Sequence, residues 1–107
     1  MKRILFLCSR NRLRSPTAET IFSDHPGIEV DSAGLSSDAE APLEEDQVRW
    51  ADVILVMEKV HRERLNRKFG KLLVSKKIIV LNIPDDYDYM DEELIRLLKQ
   101  RCKTVLP

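Results

Sequence analysis

The chain has 107 residues, 43% of them hydrophobic and 34% charged, with 18 Lys and Arg balanced by 18 Asp and Glu. This length suits one domain with its own core, and residues 1–107 are read as one. A formal net charge of zero excludes a global attraction to nucleic acid or an anionic membrane, so any anion must be held locally. The apolar runs are far too short to cross a bilayer. Two cysteines, Cys8 and Cys102, make neither a disulfide scaffold nor the spacing of a zinc site. The expectation is a cytoplasmic protein without metal or cofactor.

Ile4 to Leu7 is a continuous apolar run, the pattern of a strand buried on both faces. The polar stretch Cys8 to Arg14 follows. Ser15-Pro16 then predicts a helix start, with Ser as the N-cap and Pro at the first helical position. Ala18, Ile21 and Phe22 give that helix an apolar face, and His25-Pro26-Gly27 stops it. Ile28 to Ser32 predicts a second strand ending at Ala33-Gly34. Residues 35–46 read as a loop, with at most a short helix over Glu44 to Trp50. Asp52 to Met57 predicts the third strand, Glu58 to Phe69 a helix closed by Gly70, and Ile78 to Leu81 the fourth strand. After an acidic loop, Pro84 to Tyr89, a last helix begins near Asp91 with Leu94, Ile95, Leu97, Leu98 and Cys102 as its apolar stripe.

Strands alternating with helices predict the α/β class: a single doubly wound domain whose four-stranded, mostly parallel sheet is covered by helices on both faces. Ligands bind such sheets at the carboxyl ends of the strands, near the reversal of strand order. The loop from Cys8 to Arg14 falls there. It reads C-x5-R-S and runs from a strand into a helix, so its N–H groups and the helix dipole favour an anion. A phosphate held there gains backbone donors and a bidentate guanidinium from Arg14. The same field favours a thiolate. A free thiol titrates near ~8.5, and helix termini with neighbouring cations bring such groups down to roughly 3.5–7.5.

The run from Cys8 to Glu19, CSRNRLRSPTAE, resembles the phosphate-binding loop and first helix of the low-molecular-weight protein tyrosine phosphatases, C-x-G-N-x-C-R-S-P-x-A-E. Asp31-Ser32-Ala33-Gly34 is similar to that family's D-S-A-G segment after strand two. Asp52 to Met57 and Leu65 to Lys68 resemble its third strand and the following helix. Pro84-Asp85-Asp86-Tyr87 stands where it carries an acid loop. The resemblance implies a protein tyrosine phosphatase working through a phosphocysteine on Cys8, with Arg14 binding phosphate and Asp85 as general acid. Ser9, Arg10, Asn11, Arg12, Leu13 and Ser15 would line the substrate site, Ser15 bonding the thiolate. Tyr87 would flank the substrate ring, and Asn11 and Ser32 would hold the loop in shape. The implied partner is a phosphorylated protein or small phosphomonoester.

The chain departs from that pattern at four places. Arg10 replaces the loop glycine, which denies free access to positive φ. Leu13 replaces the second loop cysteine and Asp86 the proline after the acid. The chain is also short between Gly34 and Trp50. Three rival functions share the features: a thioredoxin-coupled arsenate reductase, a phosphocysteine carrier and a non-catalytic phosphate-binding module. The first needs two more cysteines after strand three, and residues 58–90 contain none. A carrier needs neither Arg14 nor Asp85. His25 and His61, a turn residue and one on a charged helix, read as surface residues. Asp88 or Asp91 is expected to cap the last helix, and Cys102 to lie in the core.

Overall fold

A computed structural model describes residues 1–106. Four strands, β1 (Lys2–Cys8), β2 (Ile28–Gly34), β3 (Val53–Val56) and β4 (Lys77–Val80), form one sheet. Their order is β2-β1-β3-β4 and every pairing is parallel. Helices α1 (Arg14–Phe22), α2 (Glu45–Trp50), α3 (Lys59–Phe69) and α4 (Glu92–Arg101) connect and follow the strands. The chain steps from β1 to one side for β2 and to the other for β3 and β4. The strand order therefore reverses at β1, and Cys8 is its last residue.

Alternation along β1 divides the core into two layers. Ile4, Phe6 and Cys8 join Ala18 and Phe22 of α1, Leu94 and Leu98 of α4 and its C-cap Cys102 on one face. Leu5 and Leu7 join Val48, Leu65 and Leu73 under α2 and α3 on the other. The rings of Phe6 and Phe22 stack at 5.8 Å, fixing α1 over β1. Helices on both faces explain why β1 and β3 read as unbroken apolar runs.

Two terminal assignments differ from the sequence pattern. Ser15 is not the N-cap of α1. The helix starts at Arg14 after Leu13, with no side-chain cap, so Ser15 and Pro16 are its second and third residues. Proline is harmless there because no N–H of the first turn has an intrahelical partner. Gly70 does not close α3 in a left-handed turn. It keeps a right-handed φ of −47° and opens a 3₁₀ turn, Gly70–Leu73. Asp91 does cap α4, accepting the N–H of Glu93.

The segment after β2 shapes the loop after β1. The N–H groups of Leu35, Ser36 and Glu40 donate to the carbonyls of Cys8, Ser9 and Arg10 at 3.0, 2.8 and 3.0 Å. Gly34 permits this approach. A Cβ on it would collide with the Cβ of Ala39 and come within 2.9 Å of the Ser9 oxygen and the Arg10 carbonyl carbon. Gly34→Ala is expected to destabilise the fold by about 1–3 kcal/mol, as overpacked sites do, and to lower the melting temperature by about 4–8 °C for each kcal/mol. Thermal unfolding followed by circular dichroism checks this; an unchanged midpoint would refute it.

Candidate active site

Cys8 ends β1 with its sulfur 2.9 Å from Ser15 Oγ and 3.2 Å from the N–H of Asn11. The side-chain amide of Asn11 donates to that same Ser15 oxygen at 2.9 Å. With its lone pair engaged by Asn11, the Ser15 hydroxyl is free to direct its hydrogen at sulfur. The position of Ser15 inside the first turn, rather than at the cap, makes this possible.

The residue that needs a left-handed backbone is Asn11, with φ of 55°, and not Arg10. Asparagine tolerates that region better than most side chains, so the loop makes this turn without a glycine. The carbonyls of Cys8, Ser9 and Arg10 are turned outward onto the 35–40 segment. Among the described residues, the N–H groups from Arg12 to Ser15 bond to no other backbone group. Loop and helix start thus combine donors with the positive end of α1.

Arg14 is 3% exposed. Its Nη1 donates to Glu58 Oε2 at 2.6 Å and to the carbonyl of Ile83 at 2.8 Å, and its Nε stands 3.8 Å from Asp85 Oδ1. Glu58 follows β3, while Ile83 and Asp85 follow β4. Cys8, Ser9, Arg10, Arg12, Leu13, Arg14 and Asp85 line one cleft of about 560 Å³. Asp86 is exposed and outside that lining. The acid-rich loop is tethered at both ends: Ile83 N–H reaches the Met57 carbonyl at 2.9 Å, and Met90 N–H reaches Thr17 Oγ1 at 2.9 Å.

Several sequence-predicted residues sit differently. Tyr87 is half-buried against the apolar layer of α1 and α4 and does not line the cleft. Ser32 donates to Glu19, joining β2 to α1 rather than bonding the loop itself. Arg10 and Arg12 line the mouth, but each faces an acid of the following loop: Asp38 at 3.6 Å and Glu40 at 3.3 Å.

Two residues escaped sequence reasoning. Glu58 holds Arg14 as described. His61 is fully buried, although Arg62, Glu63 and Arg64 follow it. Its Nδ1 accepts the N–H of Glu58 at 3.0 Å, so the neutral ring carries its proton on Nε2, which lies 3.1 Å from Ser9 Oγ. Burial lowers the His61 pKa to about 4, and the nearby Arg14 charge adds to the effect. The spacing of His61 to buried Leu65, four residues on, was the available signal that both share the inward face of α3.

A strand-end cysteine and a buried arginine thus stand at the two ends of a five-residue loop, at the switch point of a doubly wound parallel sheet of the α/β class. The family model for low molecular weight phosphotyrosine protein phosphatase matches residues 3–48. The described chain has the fold of several solved proteins. It is similar to the tyrosine phosphatase Wzb of Escherichia coli K30, with a TM-score of 0.79 and 24% identity over 97% of this chain and 95% of that one. The YwlE arginine phosphatase of Geobacillus stearothermophilus gives 0.74 and 22% over 98% and 93%. The low molecular weight protein tyrosine phosphatase SP-PTP of Streptococcus pyogenes gives 0.79 and 18% over 98% and 91%. No curated protein sequence matches the chain.

The buried imidazole carries a pH dependence of known sign. Its folded pKa, about 4, lies below the ordinary 6.5, so between these values the unfolded chain binds a proton that the folded one refuses. Stability is fully present above about pH 6.5 and falls as pH drops towards 4, by about 3 kcal/mol at most. Urea unfolding at pH 7, 6 and 5 is expected to show this loss, and His61→Gln to flatten it.

Burial acts on the thiol of Cys102 as well. Burial pushes Cys102 up to about 12. Cys102 shares a cleft with Phe22 and His25 at the end of α1, whereas Cys8 faces Ser15 at its start. The intervening helix rises about 10 Å, beyond the ~7 Å Cα separation that a disulfide tolerates. Peroxide is therefore expected to carry Cys8 on to sulfinic acid with no Cys8–Cys102 bridge. Peptide mass spectrometry after oxidation decides; a bridge released by dithiothreitol would refute it.

Proposed function

We propose that the chain, acting as one domain, is a phosphomonoester hydrolase of the protein tyrosine phosphatase type. The observation that carries this reading is the sulfur of Cys8, bonded by the Asn11 N–H and Ser15, in a cleft whose other lining includes the buried Arg14 and Asp85. In the reaction, Cys8 attacks phosphorus and an S–P bond forms while the ester P–O bond breaks. Asp85 gives its proton to the departing oxygen. A water then attacks phosphorus, its proton passes to the Asp85 carboxylate, and the S–P bond breaks to release phosphate. Arg14 and the loop N–H groups bind the equatorial oxygens, whose charge is largest in the transition state.

Supporting Asp85 over Asp86 as the acid is its carboxylate, 3.8 Å from Arg14 and within the cleft lining. The half-buried Tyr87 supports a smaller part for an aromatic flank at the site. The substrate side chain is open between two chemistries borne by similar folds, because their solved representatives include tyrosine and arginine phosphatases. No described helix is long and apolar enough to cross a membrane, and a cytoplasmic location remains part of this proposal.

Phosphate release from p-nitrophenyl phosphate, phenyl phosphate and peptides bearing phosphotyrosine, phosphoserine or phosphoarginine tests the reading. Wild type is expected to turn over p-nitrophenyl phosphate. Cys8→Ser abolishes turnover while vanadate still binds, and Arg14→Lys loses both, since an ammonium cannot make the bidentate contact. Asp85→Asn slows phenyl phosphate hydrolysis by about 10²–10⁴, with a much smaller loss for Asp86→Asn. Appreciable hydrolysis by Cys8→Ser would refute the covalent route. Phosphate binding without turnover by wild type would leave a binding module.

A further inference from the structure

Beside the catalytic cleft runs a second groove. One wall is Leu35, Ser36, Ser37 and Asp38; the other is Arg64, Arg67 and Lys68 of α3. The three cations stand three and four residues apart, which places them on one helical face. Among the described residues none of them has an ion-pair partner, whereas the arginines of the neighbouring cleft, Arg10, Arg12 and Arg14, all do. The negative end of the helix dipole favours Arg67 and Lys68 in the last turn of α3. It does not account for Arg64, a turn earlier, on the same groove.

The groove and the cleft share a partition. Leu35 and Ser36 in the groove wall donate to the carbonyls of Cys8 and Ser9, which line the cleft. Asp38 of the same wall pairs with Arg10 at the cleft mouth. A chain leaving the cleft therefore crosses one layer of backbone, a spacing of about 5 Å between hydrogen-bonded segments, to reach the cations. At about 3.3 Å per residue, side chains two to four positions from a phosphorylated residue have that reach.

We propose that this groove binds an acidic, extended segment of a phosphoprotein beside the scissile phosphate, and so selects substrates; the inference rests on the phosphatase reading above. Separate carboxylates suit separate guanidinium forks. A nucleic acid suits the groove less. No aromatic side chain lines it for base stacking, and Asp38 stands in the path of a uniformly charged backbone.

The test compares two phosphotyrosyl peptides of equal length, one with Asp and Glu flanking the phosphorylated residue and one with Asn and Gln. Wild type is expected to prefer the acidic peptide by about tenfold in kcat/KM, with the preference shrinking between 50 and 300 mM salt, as exposed ion pairs do. The exposed triple variant Arg64→Ser, Arg67→Ser, Lys68→Ser is expected to lose that preference and keep p-nitrophenyl phosphate turnover within about twofold. Equal rates for both peptides with wild type, or a preference that survives in the triple variant, overturns the proposal. So does stronger competition from a single-stranded oligonucleotide than from the unphosphorylated acidic peptide. Failure of wild type to hydrolyse any phosphate sinks the phosphatase reading instead. The groove is then judged by binding of the acidic peptide, measured by fluorescence anisotropy, to wild type and triple variant; equal affinities overturn it.

Discussion

A guanidinium that is almost entirely out of water must have partners, and the arrangement of this protein's functional edge follows from supplying them to Arg14. The partners come from chain segments that are remote in sequence: Glu58 beyond β3, and the Ile83 carbonyl and Asp85 beyond β4. Parallel strands bring these segments together because all four end on the same side of the sheet. The ion pair with Glu58 and the bond to Ile83 use one nitrogen of the fork. The plane of the group is thereby set before any anion arrives, which is the condition for bidentate recognition at little entropic cost.

The loop facing Arg14 is formed from outside as much as by its own residues. Its carbonyls are taken up by Leu35, Ser36 and Glu40, and its first side chain, Ser9, meets His61. His61 in turn receives the N–H of Glu58, the residue that holds Arg14. One buried, neutral imidazole thus joins the start of the loop to the support of its arginine. Charging that ring would remove the lone pair that accepts the Glu58 N–H, consistent with burial holding its pKa near 4.

The segment of residues 35–44 is short, yet it does two things. It buttresses the loop, and its acids sit against Arg10 and Arg12. The positive charges of Arg10 and Arg12 at the cleft mouth are therefore largely offset. Three cations without an ion-pair partner among the described residues, Arg64, Arg67 and Lys68, lie a step away on α3. Neutral overall composition conceals this separation, because the sum of charges carries no information about which of them are paired.

The order of strands and helices, the two-sided burial of β1 and the place of Cys8 and Arg14 at the two ends of a strand-to-helix loop were legible in the chain. Each is announced by a local pattern, an unbroken apolar run or a polar loop between strand and helix, whereas Asp85 was indicated only through the family resemblance. The N-terminus of α1 was misread by two residues because Ser15 is a good cap in isolation. Here its hydroxyl is drawn instead to Cys8 and Asn11. Glu58 and His61 were hidden among charged neighbours. Gly34 was visible as part of a motif, but its steric necessity depends on Ala39 and the loop backbone. The relations of His61 with Ser9, of Glu58 with Arg14 and of Gly34 with the loop backbone join residues 24 to 52 apart, and a one-dimensional pattern records propensity but not such partners. The apolar pattern determined which elements exist; sheet packing decided which side chains they bring within hydrogen-bonding distance, because burial makes unpaired polar groups costly and leaves few arrangements that satisfy them all.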